Sequence, residues 1–324
     1  MPIPGDRRGR WWIETSNGPL IDAFRPALIS FVAFGPSKEP SLEGTGFFVT
    51  GTEQWAVALT AKHVLEDGVA RKQSAQKHAA SAIFFNKARP SPLLHKLRAL
   101  WTPDREQGAM LAVYHGYYDE PLDIATCIVG APPDQKAPPL NKVHIPLDLA
   151  VPDVGDRVGM VSFADMSLDE TRAPDAATGR GQTLSVYRLV SVRMGVVTAN
   201  LPDGHRLGSW PCFTTSIPAA AGMSGGFVYR WRDGEAVAAC GVVCADASPV
   251  EAPNNSLIAG ESVVGAIWPA LGLLVPDAWP VTDETRYRTL YEKMRDGELP
   301  PPVGGLESVI FEDRGNGLVA IGLR

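Results

Sequence analysis

The six residues Ala221-Gly222-Met223-Ser224-Gly225-Gly226 constrain this chain more than any other stretch. Glycine before a serine lets the backbone turn so that neighbouring N–H groups can point at one spot, and two glycines after it leave room for a carbonyl group to approach. Alone, such a turn reads equally well as an ordinary hairpin loop. What narrows the reading lies upstream. Thr60-Ala61-Lys62-His63-Val64 follows an apolar alternating run from Gly46 to Leu59, and Pro121-Leu122-Asp123-Ile124-Ala125 opens another apolar strand. A base, a carboxylate to orient it and a hydroxyl nucleophile therefore occur in the chain order His63, Asp123, Ser224. Unrelated folds carry the same three groups in different orders, so the order bears on the fold as well as on the chemistry.

These segments resemble the T-A-x-H, D-I-A and G-x-S-G-G segments of the trypsin-like (chymotrypsin-fold) serine peptidases, bacterial cytosolic type. Gly44-Thr45-Gly46-Phe47-Phe48-Val49 is similar to the family's G-T-G-F strand, and Val154 to Val161 to its G-D-x-V turn and strand. The resemblance spans roughly residues 27–275, is specific at the three motifs and is diffuse elsewhere. It implies an all-β, chymotrypsin-like double six-stranded β-barrel with a His63-Asp123-Ser224 triad in the cleft. It also implies Gly222 and Ser224 as oxyanion-hole donors, a protein or peptide substrate, and neither cofactor nor metal. The pocket for the residue before the scissile bond would involve Pro218 and Ala219 on one side and Val243, Cys244, Ala245 and Asp246 on the other. Pro218 stands six before the serine, where trypsins place a carboxylate, so a pocket without buried charge and with a preference for small or medium apolar side chains is expected. Asp246 at the mouth could still reach a long basic side chain. Met223 departs from the family, since secreted members carry an aspartate there to receive a newly cut amino terminus. Beside hydrolysis stands the alternative of a protease-fold module that binds peptides without turnover.

With 28 prolines and 32 glycines in 324 residues, many short strands and turns are expected rather than long helices. The chain divides into an amino-terminal arm (1–26), a first barrel (27–138) bearing His63 and Asp123, a second barrel (139–278) bearing Ser224, and an extension (279–324). In that extension a helix capped by Thr282 and a hairpin around Gly315-Asn316-Gly317 are expected. Ser262 to Leu271 reads as a packing helix rather than a last strand, and Ser167 to Gln182 as a surface loop. Residues 68–103 hold seven Lys or Arg and no acid. Segment 71–98 is thus either a solvated face or a docking site for an acidic partner. A net charge of −6 gives no global reason to expect nucleic acid. No secretory h-region and no membrane-length apolar run is present, and Cys127, Cys212, Cys240 and Cys244 form no spaced framework, which together suggest buried thiols in a cytoplasmic protein.

Overall fold

The computed structural model describes residues 3–4, 12–14, 19–34, 40–70, 97–104, 108–118, 122–131, 139–141, 143–172, 183–205, 210–246, 261–278, 284–315 and 318–323. Most of the basic segment 71–98, residues 132–138 between the two barrels, Thr282 and Asn316 lie outside them. The chain enters through β1 (Ile3–Pro4), β2 (Trp12–Glu14) and α1 (Pro19–Phe24). Six strands follow: β3 (Leu28–Phe34), β4 (Pro40–Gly51), β5 (Trp55–Thr60), β6 (Leu97–Trp101), β7 (Ala109–Tyr118) and β8 (Ala125–Gly130), with α2 (Lys62–Ala70) after β5. They close antiparallel in the order β3-β4-β5-β8-β7-β6. Closure leaves β5 and β8 with no edge, and their side chains are buried on both faces apart from half-buried Trp55. The continuous apolar runs Ala56–Leu59 and Cys127–Val129 are the sequence form of that double burial.

A second barrel repeats the plan with β9 (Arg157–Arg172), β10 (Thr183–Leu201), β11 (Cys212–Thr215), β12 (Phe227–Arg230), β13 (Ala239–Asp246) and β14 (Ser262–Ala266). Its ring runs β9-β10-β11-β14-β13-β12 and returns to β9. β2 adds to β10 at Val192–Met194, so the arm is an extra strand on the second barrel. Between the barrels Phe227 meets Phe47 at 5.3 Å and Phe24 edge-on at 5.5 Å between ring centroids. Arg188 of β10 crosses the same seam, donating to the hydroxyls of Ser30 and Thr102 and, at 2.6 Å, to the Leu100 carbonyl. Among the described residues no helix is long and apolar enough to cross a membrane.

Three expectations are corrected. Ser262–Ala266 is a strand, and only Trp268–Gly272 turns helical, as a 3-10 segment. β14 lies between β11 and β13 with both faces buried, and periodicity does not separate such a run from a buried helix. β9 continues through Arg172, pairing Leu168 with Val186 and Arg172 with Thr183, where a loop was expected from Ser167. Backbone hydrogen bonds, indifferent to side-chain polarity, carry the ladder past the last apolar alternation. Finally, the extension's helix is α3 (Leu290–Arg295), after β15 (Leu274–Pro276) and β16 (Tyr287–Thr289). Thr289 and Glu292 form its capping box.

The hairpin β17 (Val309–Gly315) and β18 (Leu318–Leu323) is as expected. The extension is sewn to the body, since the Leu149 N–H donates to the Gly304 carbonyl and the Val303 N–H to the Leu147 carbonyl. Lys293, almost fully buried, bridges Asp277 at 2.8 Å and Glu298 at 2.9 Å, and Arg288 bonds both as well as Asp296.

Candidate active site

α2 starts directly at the end of β5, and its fully buried Val64 and Leu65 fix its rotation. His63 is thereby left half-exposed on the opposite side. Asp123, at the entry to β8, accepts from the His63 backbone N–H at 3.1 Å and lies 2.9 Å (Oδ2) and 3.1 Å (Oδ1) from Nδ1 of its ring. One carboxylate thus caps the helix and clamps the imidazole. Its negative charge favours the proton on Nδ1, which leaves the lone pair on Nε2.

Ser224 is held on a turn in which Gly222 and Gly225 have φ of 87° and 84°, values L-residues rarely adopt. The Gly226 N–H donates to the Met223 carbonyl and the Gly225 N–H to the Val243 carbonyl. Among the described residues, neither the Gly222 N–H nor the Ser224 N–H meets a protein acceptor. Both are therefore available to an incoming oxygen.

Contacts around the turn set it against the elements that carry His63 and Asp123. Thr45 of β4 donates its N–H to the Ser224 carbonyl at 2.8 Å and its hydroxyl to the Gly222 carbonyl at 2.7 Å. That hydroxyl in turn accepts from the Phe163 N–H, and the Thr45 carbonyl from the Thr60 hydroxyl at 2.6 Å. A Cβ on Gly44 would sit 2.6 Å from the Val64 side chain and 2.8 Å from the Ser224 carbonyl, so the Ser224 turn abuts the helix of His63. Cys244 closes the circuit. It is skipped where the β13–β14 register shifts between Val243 and Ala245. Its carbonyl faces the Ser224 hydroxyl at 3.5 Å and its thiol the Asp123 carbonyl at 3.5 Å. A bulge commonly re-aims a residue in this way beside a site. Burial, with the Asp123 charge second, holds the Cys244 thiol well above its ordinary range, so it is a neutral strut.

From the sequence Thr45 reads only as part of a strand, and Cys244 as a pocket wall and a buried thiol. The small-residue frame Gly44-Thr45-Gly46 was the available signal for the former. Nothing local announced the latter, because a bulge depends on the partner strand's register. Ala219 and Val243 pack with Met223 in the second barrel's interior. Pro218 is buried, and its carbonyl accepts from Nη1 of Arg193, itself only 7% exposed, at 3.0 Å. A buried cation thus lies behind Pro218, in the neighbourhood where a pocket without buried charge is expected from the sequence. The backbones of Ala245 and Asp246 pair with Val263 and Ser262, and their side chains lie outside the described residues. A separate apolar cavity of about 450 Å³, between Trp268 and Leu323, includes none of His63, Asp123 and Ser224.

No family model and no curated protein matches this chain. Among solved structures, it is similar to a crystal structure of Rv3671c from M. tuberculosis H37Rv, a serine-to-alanine mutant in an inactive form. That match has 14% identity over 78% of this chain and 89% of the other, with a TM-score of 0.37. At that level the likeness carries no argument about the site, which rests on its own geometry.

Proposed function

We propose that this protein is a serine endopeptidase with His63, Asp123 and Ser224 as its triad and the N–H groups of Gly222 and Ser224 as its oxyanion hole. The observation that carries the reading is the clamp of Asp123 on His63 beside a serine turn whose two N–H groups are open. In the reaction the Ser224 oxygen attacks the scissile carbonyl carbon while Nε2 of His63 takes its proton. The carbonyl oxygen, now anionic, accepts from Gly222 and Ser224, each such donor being worth about 10²–10³-fold in turnover. Collapse breaks the C–N bond, and His63 returns the proton to the leaving amine. Water then repeats the attack on the acyl-enzyme, its proton passing through His63 to Ser224. Asp123 stabilises the imidazolium in both halves.

The test is labelling with a fluorophosphonate, mapping of the modified peptide, and hydrolysis of a mixed peptide library. Modification at Ser224 together with cleavage that disappears in Ser224→Ala is expected. Modification of a different serine, or cleavage that survives the substitution, would move the site. Peptide binding without labelling or cleavage would leave the protein a binding module.

A further inference from the structure

Along Val192–Met194 both edges of β10 are taken. β9 pairs with one, and β2 of the amino-terminal arm with the other, Arg193 standing opposite Ile13. Further along, that second edge belongs to β11, from Leu201 opposite Cys212 to Val197 opposite Thr215. The ladder reaches one residue more, because the Ser216 N–H donates to the Val196 carbonyl and the Val196 N–H to the Ser216 hydroxyl. There it stops. At Gly195 the chain leading to Ser224 leaves the edge and passes over the face of the strand, where a Cβ would meet Ile217 and the Ser216 hydroxyl, both at 2.6 Å. On that same face, two residues back, Arg193 donates through Nη1 to the Pro218 carbonyl at 3.0 Å. β2 therefore takes up the edge of β10 where residues 216–221 abandon it.

An unpaired strand edge is a template for any extended segment beside it. Open at 192–194, this edge would offer the chain after Ser216 backbone partners in unbroken register, Ile217 opposite Gly195 and Pro218 opposite Met194. Such pairing would draw residues 217–221 off the face of β10, and the Gly222 N–H with them. We propose, on the basis of the peptidase reading, that β2 is a positioning strand for the nucleophile turn. By occupying the β10 edge at Val192–Met194 it keeps the segment before Ser224 in the arrangement that presents the Gly222 N–H to the oxyanion. The clamp of Asp123 on His63 belongs to the first barrel and does not depend on β2.

Prolines in β2 test this within the chain of 324 residues. Successive backbone N–H groups of a strand point to opposite sides, so in Ile13→Pro/Glu14→Pro one of the two lost donors faces β10. Fluorophosphonate labelling of Ser224, whose phosphoryl oxygen needs the same donors, should slow at least about 10²-fold, the usual loss on removing one oxyanion donor. The midpoint of its pH dependence, set by His63 against Asp123, should not move. Ile13→Val/Glu14→Thr keeps both N–H groups in residues suited to a strand and should label at the native rate. Should the double proline variant not fold, Ile13→Pro and Glu14→Pro are compared singly, and their rates should differ at least about tenfold, since only one of them removes a donor aimed at β10. Native-rate labelling of the proline variants, equal slowing by the two single ones, a midpoint that shifts with the rate, or equal slowing by the valine-threonine variant would overturn the assignment. Absence of labelling in the native protein would instead overturn the peptidase reading, and this inference with it.

Discussion

Gly225→Ala is the substitution whose cost the structure fixes most closely. At φ of 84° an alanine carries left-handed strain of about 1–2 kcal/mol. Its Cβ would also stand 2.0 Å from the Thr45 carbonyl oxygen and 2.3 Å from the Thr60 hydroxyl, far inside van der Waals contact. Clearing that overlap pushes the turn off β4, an overpacking cost of about 1–3 kcal/mol. It also breaks or stretches the buried bonds that Thr45 makes, at about 1–3 kcal/mol for a polar group left unsatisfied. The sum, about 3–8 kcal/mol, is a large part of the roughly 5–15 kcal/mol of a typical domain. Gly234 supplies the control, because its φ is 81° and nothing lies within 4 Å of its would-be Cβ. Gly234→Ala should therefore cost only the strain of about 1–2 kcal/mol. Urea unfolding of the two variants isolates the packing part as their difference. Fluorophosphonate labelling of Gly225→Ala should fall at least about 10²-fold, the usual result of shifting a reacting atom by an ångström. Equal stability of the two variants, with labelling at the native rate, would refute the apposition of the serine turn and β4.

Other outcomes follow from the same geometry. Ser224→Ala and His63→Ala should each lower peptide turnover about 10⁶-fold, and Asp123→Asn about 10⁴-fold through the wrong imidazole tautomer, measured as kcat on any cleaved peptide. The chain of 324 residues should label without trimming before Ala27, since fully buried Met223 offers no charge to a new amine; labelling that required such a cut would contradict this. Although burial pushes Asp277 up, hydrogen bonds from Lys293 and Arg288 outweigh it, and Arg288 with Lys293 likewise lowers Glu298. Folded-state values below the ordinary 3.8 and 4.5 mean stability that is present above that range and lost as pH falls through the lowered values. The drop in melting temperature on acidification below about pH 4 should accordingly be smaller in Asp277→Asn. The four buried cysteines, with Cys212 pushed up to about 11 and Cys240 to about 12 by burial, should react with a thiol reagent only after unfolding.

By itself the sequence determined the elements whose signals are local. Alternation and continuous apolar runs specify the strands around His63 and Asp123. Glycines at 222 and 225 specify a turn that needs positive φ, and the order His63, Asp123, Ser224 specifies which double barrel would carry them. What only the tertiary structure decided is everything that depends on a distant partner. Ser262–Ala266 is a strand because β11 and β13 lie on either side of it, and Ser167–Arg172 stays extended because β10 runs beside it. Thr45 holds the Ser224 turn because closure of the first barrel brings β4 under it. Cys244 spans Ser224 and Asp123 because a register shift against β14 turns it. Arg193 is legible in the sequence only as an arginine between Val192 and Met194. Its place behind Pro218 is not legible there, because which face of a strand looks into a barrel, and at what depth, follows from how the ring closes rather than from the residues on either side.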